Sequence, residues 1–432
     1  MTTLSQPVDM LTALTKGMPG NLDSMAPADI GSQSWNLLRE DLNLPAAVLK
    51  ESALEHNSRR MRDFVASHKG RFAPHGKTSM SPELFFRQLH DGAWAITLAN
   101  AHQVQVARHF GVQRIFLANQ LVGRQAVDYV LSALRDDPEF DFYCIVDSCE
   151  HVQSLADAAS RANIGRPLQL LVEVGIPGAR SGCRDTQTAL AVARAIHANA
   201  PWLSLRGIEG FEGIISHPEP NKLAEGVRGF LTRMREVAEQ CDAENLFGDG
   251  PVLLSAGGSA FYDIVLEELG ESRLKRENIV LTRSGCYLTH DAKKYEVAHH
   301  HLLARQGNSS NKQDHPQPAL EVWAYVHSRP EPGRIIVGLG KRDISYDDLP
   351  LAQQWYRPAA PRQPGPLPLT GHQVVRLDDQ HAYLDVPEDS PLAVGDMVQF
   401  GISHPCLTFD KWRAICLVDD SYNITGAVTT YF

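Results

Sequence analysis

From about residue 46 to 259 the sequence alternates between two textures. Short apolar or β-branched runs stand at AAVLK (46–50), RFAPH (71–75), AITLA (95–99), RIFLA (114–118), FYCIVD (142–147), LQLLVEVG (168–175), LRGIEGFEG (205–213) and VLLSAGG (252–258). Between them, stretches such as ESALEHNSRRMRDFVASH and TQTALAVARAIHANA repeat their apolar residues three and four apart, the spacing of an amphipathic helix. Each strand candidate is followed by a helix candidate, which is the period of a (β/α)8 barrel of the TIM type. An open doubly wound sheet is the rival. It would carry a glycine-rich dinucleotide turn after the first strand, and KESALEHN has no glycine. The pattern therefore predicts an α/β barrel over residues 41–290.

Beyond about residue 290 the texture changes. RQGNSSNKQDHPQP (305–318) reads as a polar loop and the proline-rich RPAAPRQPGPLPLTGHQ (357–373) as an extended connector. Around them, ALEVWAYVHS, RIIVGLG, HAYLDVP, DMVQFGIS, RAICLVD and NITGAVTTYF alternate apolar and polar positions between turn signals, predicting a C-terminal all-β domain over 291–432. Residues 1–40 are weakly patterned and read as an arm able to pack on either domain.

Charge and cysteine content narrow the class. A formal net charge of -10 argues against nucleic acid or an anionic membrane as the main partner. No apolar run reaches membrane-span length, and the first residues lack the basic start and apolar core of an export signal. Seven irregularly spaced cysteines argue against a disulfide framework, so a cytoplasmic enzyme is expected.

Three places carry chemistry. Lys77, in RFAPHGKTSM, follows a strand where barrel sites collect, and a desolvated lysine there suits imine formation with a carbonyl. A solvated lysine is the alternative. In LLSAGGSAFYDIVLEELG, Gly257, Gly258 and Ser259 join a strand to a helix start, where backbone N–H groups and the helix dipole favour a phosphate. Ser259 is expected to cap that helix while its hydroxyl touches a phosphate oxygen, and a tight turn with no ligand is the alternative. His404 and Cys406, in QFGISHPCLTFDKW, are two apart on a predicted strand end and offer zinc-type donors, whereas a buried cysteine beside a surface histidine is the plain alternative. His299, His300 and His301 read as a solvated loop run, His217 as a candidate at the barrel mouth, and the remaining cysteines as small core residues.

FAPHGKTSM, EVGIPGARSG, SAGGS, RSGCY and SHPC, in that order, closely resemble the D-serine dehydratase and D-threonine aldolase group, including its bacterial D-amino-acid deaminases. These are pyridoxal 5'-phosphate (PLP) enzymes of fold type III, with an alanine-racemase-like barrel followed by a β domain. The resemblance implies that Lys77 is the Schiff-base lysine and Cα base, with His75 two residues before it. It places Arg180 near the cofactor's phenolic oxygen, Gly257, Gly258 and Ser259 at its phosphate and Tyr287 near the site. It also implies that His404 and Cys406 are ligands of a Zn2+ ion, whereas the aldolase branch tends to carry aspartate at the second position. HGKTSM has Ser79 where the family more often has histidine, and EGFEGIISH departs from Gln- or Tyr-containing versions. Glu212 is taken as the carboxylate at the pyridine nitrogen, with a buried structural glutamate as the alternative. The implied activity is dehydration of a D-3-hydroxy amino acid to a 2-oxo acid and ammonia in a homodimer. The alternatives are an aldolase giving glycine and an aldehyde, and a non-catalytic PLP carrier.

Overall fold

A computed structural model describes residues 9–307, 315–358 and 365–432. Residues 1–8 of the arm and stretches 308–314 and 359–364 of the two connectors lie outside the described residues. The chain opens its regular structure with β1 (Ala46–Lys50) and α1 (Glu51–Ser67). The barrel then runs β2 (Arg71–Phe72), α2 (Pro82–His90), β3 (Ile96–Leu98), α3 (Ala101–His109), β4 (Arg114–Gln120), α4 (Arg124–Asp136), β5 (Asp141–Val146), α5 (Cys149–Ala162), β6 (Leu168–Val174), α6 (Thr186–Ala198), β7 (Leu203–Gly210), α7 (Pro220–Ala243), β8 (Val252–Ala256), α8 (Tyr262–Gly270) and β9 (Asn278–Thr282). Helix starts follow the capping chemistry of their sequences: Asn100, Ser148 and Asp185 accept from backbone N–H groups three residues on.

Strands β2 to β9 form one eight-stranded parallel sheet in the order β2-β9-β8-β7-β6-β5-β4-β3. It closes on itself through a parallel bridge between His75 and Thr97 and a Thr97 N–H donating to the Pro74 carbonyl at 2.9 Å. Alternate residues point inward, where Ala73, Ala95, Phe116, Tyr143, Ile145, Leu171, Leu253 and Leu281 form a small apolar plug. Their neighbours Leu98, Ile115, Phe142, Leu170, Val172, Ile208 and Leu254 join the larger core under the helices.

The barrel is thus assembled from a different set of eight strands than the pattern predicted. AAVLK pairs antiparallel with β10 (Leu320–Glu331) and parallel with β17 (Ala414–Val418), so it belongs to the second sheet. The missing barrel strand is NIVLT at β9, a five-residue run after a charged stretch. The remainder of the C-terminal region supplies α9 (Lys294–Arg305), β11 (Arg334–Val337), β12 (Leu351–Tyr356), β13 (Leu367–Pro368), β14 (Gln373–Leu377), β15 (Ala382–Asp385), β16 (Met397–Gly401), the short helix α10 (Cys406–Phe409) and β18 (Ile424–Thr429). Seven strands of its ten-stranded sheet run in the order β13-β12-β16-β10-β1-β17-β18.

The arm has a definite seat. Leu11, Met18, Leu22, Ile30, Leu37 and Leu42 are buried with Val48, Trp323, Tyr422 and Ile424, on the second sheet rather than the barrel. Among the described residues no helix is long and apolar enough to cross a membrane.

Candidate active site

Lys77 stands on a single 3-10 turn, Gly76–Thr78, directly after the barrel-closing bridge at His75. The turn fits because Gly76 has no side chain: a Cβ there would lie 2.7 Å from Phe85 and 2.8 Å from Ile96. Lys77 itself is exposed at the mouth. Beneath it, His75 carries a buried Nδ1 with no hydrogen-bond partner. Burial, and then the charges of Lys77 and Arg283, hold its imidazole well below the ordinary histidine range, so it is neutral.

The inward-facing layer around His75 is polar. Arg283 follows β9, donates to Ser255 Oγ at 2.6 Å and to the Gly210 carbonyl at 3.0 Å, and forms an ion pair with Glu209. Burial pushes the Glu209 carboxyl up to about 7 even with Arg283 beside it. Glu173 on β6 accepts from Gln120 and from Ser181 at 2.9 Å. Arg180, on the loop after β6, is exposed, lies 5.0 Å over the Phe211 ring, and its charge is felt at both His75 and Glu209.

The glycine turn follows β8, the seventh strand around the barrel from β2. Gly257 has φ +102°, a conformation that L side chains rarely adopt. The N–H groups of Gly257 and Gly258 donate to the two carboxylate oxygens of Glu212, at 2.8 and 2.9 Å. Glu212 therefore sits buried on the glycine turn with both oxygens engaged, the place that the alternative of a buried structural glutamate describes. Ser259 does not cap α8: its Oγ accepts from the Cys286 N–H at 3.2 Å and the helix opens at Tyr262. The next loop presses on the lysine turn, since a Cβ on Gly285 would lie 2.5 Å from Thr78 Oγ1 and 2.7 Å from the His75 carbonyl. Gly285→Ala is expected to cost about 1–3 kcal/mol in stability through that overlap. A thermal melt checks it, and an unchanged midpoint would contradict the contact.

His404 and Cys406 lie on the turn after β16 rather than on a strand, and Cys406 opens α10. Cys406 Sγ is 3.5 Å from Thr78 Oγ1, so this turn of the second domain reaches the residue beside Lys77. Its Sγ is also 3.9 Å from Cys286 Sγ. Cys286, then His404 and Thr78, hold the Cys406 thiol well below its ordinary range, as a thiolate. Contact with Cys406 and a 2.6 Å bond from Nδ1 to Asp347 push His404 up to about 9.

Tyr287 lines one cavity with Ser259 and Cys286, beside the glycine turn. The Tyr287 ring is buried edge-on against Phe72 at 5.9 Å. His217 is exposed and accepts from the Glu219 N–H at 3.0 Å. His299, His300 and His301 belong to α9, not a loop, and His299 is buried against His315. Among the described residues no group of three or more His, Cys, Asp or Glu side chains is set to hold a metal. Of the remaining cysteines, Cys144, Cys183, Cys241 and Cys416 are buried as expected, whereas Cys149 is exposed.

Comparison with known proteins decides the family. Residues 49–263 match the alanine racemase N-terminal domain, and residues 319–418 match the "Putative serine dehydratase domain". The chain belongs to the fold type III PLP enzymes. It is 24% identical over 386 residues to the D-threonine aldolase of Arthrobacter sp, covering 88% of this chain and 90% of that protein. The D-threonine aldolase structure from Filomicrobium marinum superposes with a TM-score of 0.73 at 20% identity, over 94% of this chain and 98% of that one. A metal-free cysteine-to-alanine variant of a D-threo-3-hydroxyaspartate dehydratase superposes with a TM-score of 0.69 at 21% identity, over 92% and 99%.

The mouth fits the cofactor of fold type III PLP enzymes. Lys77, Arg180 and Arg283 bring three positive charges around the unpartnered His75 nitrogen, and among the described residues only Arg283 of the three forms an ion pair with a buried carboxylate. The amides of Gly257 and Gly258 hold an anion, the Glu212 carboxylate of the chain itself, and Ser259 beside them leaves a hydroxyl proton to donate. The His404 and Cys406 pair suits a cation such as zinc, its imidazole oriented by a carboxylate in the usual manner of metal-ligating histidines.

Sequence reasoning missed four residues here. Arg283 and Cys286 stand inside RSGCY, a motif already singled out, and were legible as a positive charge and a donor beside it. Glu209 lies three residues before Glu212 in a segment already in view. Asp347, in KRDISYDDLP, carries no local signal.

Proposed function

We propose that the chain is a PLP-dependent dehydratase of D-3-hydroxy amino acids such as D-serine and D-threonine, releasing a 2-oxo acid and ammonia. Lys77 would hold the cofactor, with Arg180 and the Ser259 side of the glycine turn around it, and His404 and Cys406 would hold a Zn2+ ion. PLP, when bound, supplies an electron sink for the pair left at Cα. Zn2+ at the His/Cys pair supplies positive charge for the departing β-oxygen.

The chain's own residues do the rest. The Lys77 amine accepts the Cα proton. His75, neutral and with its Nδ1 buried, adds no competing positive charge. Asp347 orients the His404 ring, and Cys286 and Thr78 hold the Cys406 sulfur towards the lysine turn. One observation carries the reading: Thr78, the residue after Lys77, touches Cys406 at 3.5 Å. That contact would put the Lys77 amine and the His404/Cys406 pair at one mouth, the arrangement that loss of a β-hydroxyl requires. A dehydratase with the fold of this chain has been solved as a metal-free cysteine variant and also as a histidine variant, the two altered positions lying two residues apart. His404 and Cys406 have that spacing. The exposure of Lys77 also leaves room for the β domain of a second subunit over the mouth, as a homodimer would place it.

The aldolase is the second reading, favoured by the Arthrobacter relative. Incubation with D-threonine separates the two. The dehydratase gives 2-oxobutanoate and ammonia in equal amounts. Glycine and acetaldehyde in their place would transfer the chain to the aldolases, and PLP binding without turnover of any D-3-hydroxy amino acid would leave a carrier.

A further inference from the structure

Glu212 is wholly buried, and both of its oxygens are spent on the glycine turn. A carboxylate and a phosphate make the same demand on a backbone N–H, and each N–H has one proton to give. While Glu212 is in place, the amides of Gly257 and Gly258 have nothing left for a second anion.

The turn is clamped from its other side as well. The Gly257 carbonyl accepts from the Arg283 N–H at 3.1 Å and the Gly258 carbonyl from Ser284 Oγ at 2.9 Å. Ser259 Oγ accepts from the Cys286 N–H. A Cβ on Gly258 would come within 3.1 Å of Phe211, the ring beneath Arg180, so the turn and the residue before Glu212 are in close contact. Expelling the carboxylate would leave a buried charge without partners.

We propose that Glu212 is an internal anion that fixes the glycine turn and thereby positions the cofactor's phosphate, which takes its hydrogen bonds from Ser259 and the backbone after it rather than from Gly257 and Gly258. Glu212 is thus a positioning residue. The proposal rests on the reading of this chain as a PLP enzyme. It opposes the idea that Glu212 merely fills the phosphate site until the cofactor displaces it.

The two ideas predict opposite signs. Holoenzyme is stripped of PLP with hydroxylamine and retitrated by absorbance with PLP and, separately, with pyridoxal, which lacks the phosphate. Glu212→Gln, nearly isosteric, loses the charge and one acceptor, and Glu212→Asp keeps the charge on a shorter arm. A positioning role predicts PLP binding about 10–100-fold weaker in Glu212→Gln, the worth of charge-assisted hydrogen bonds, with pyridoxal binding unchanged and partial recovery in Glu212→Asp. The 31P resonance of the bound phosphate should move as well. Equal or tighter PLP binding by Glu212→Gln overturns the proposal, and so does an equal loss for PLP and pyridoxal, which would mark general damage to the fold. A wild-type protein that takes up no PLP overturns the parent reading, and this one with it.

Discussion

Lys77→Ala protein is expected to be colourless, with 2-oxo acid formation lowered by about 10^2–10^4-fold or more from loss of the proton acceptor alone. Lys77 is exposed, so its removal opens no cavity and the variant should melt with the wild type. Borohydride reduction of the wild type, followed by peptide mapping, should place the cofactor on the peptide containing Lys77. The colour and the label report attachment, and turnover reports proton transfer, so the two roles given to this amine are tested separately. A covalent label on any other lysine, or turnover that survives the substitution, would refute the assignment.

The second large effect concerns the His404/Cys406 pair at the start of α10. Cys406→Ala or His404→Ala should lower 2-oxo acid formation by about 10^2–10^3-fold, the usual consequence of removing one preorganised group that opposes developing negative charge. Chelation of the wild type should have an effect of the same size, reversed by added Zn2+. Asp347→Asn leaves both ligands present and loosens only the hold on the His404 ring, so a smaller loss of about 10–100-fold is expected. This graded order matters more than any single value. A rate unchanged after verified metal removal would refute the role of the pair.

The chemistry at Cys406 also explains why its neighbours escaped the sequence. Cys286 lies 120 positions earlier and Asp347 lies 57 positions before His404, yet each is in contact with its partner. Thr78 belongs to the barrel and Cys406 to the second sheet region, and the fold brings them within 3.5 Å, while β1 ties that sheet to the chain that leads into the barrel. AAVLK shows how such a tie is hidden. Its apolar run has the local pattern of a barrel strand, but Val48 finds its partners at Glu321 and Cys416. NIVLT shows the converse, a short run whose place in the barrel is fixed by β8 on one side and β2 on the other.

Much of the local chemistry was written in the chain. Side-chain periodicity dictated the alternation of strand and helix, and the resemblance of short motifs picked out a lysine after a strand, a glycine turn before a helix and a histidine two residues from a cysteine. These depend on neighbours within a few residues, where backbone geometry is transferable from one protein to another. Tertiary structure alone decided which strand closes the barrel, that Glu212 takes the amides of Gly257 and Gly258, and that Cys286 and Asp347 flank the His/Cys pair. A hydrogen-bond donor or a strand edge can be satisfied by any partner that the folded chain brings within reach, and that choice is made by packing across the whole molecule.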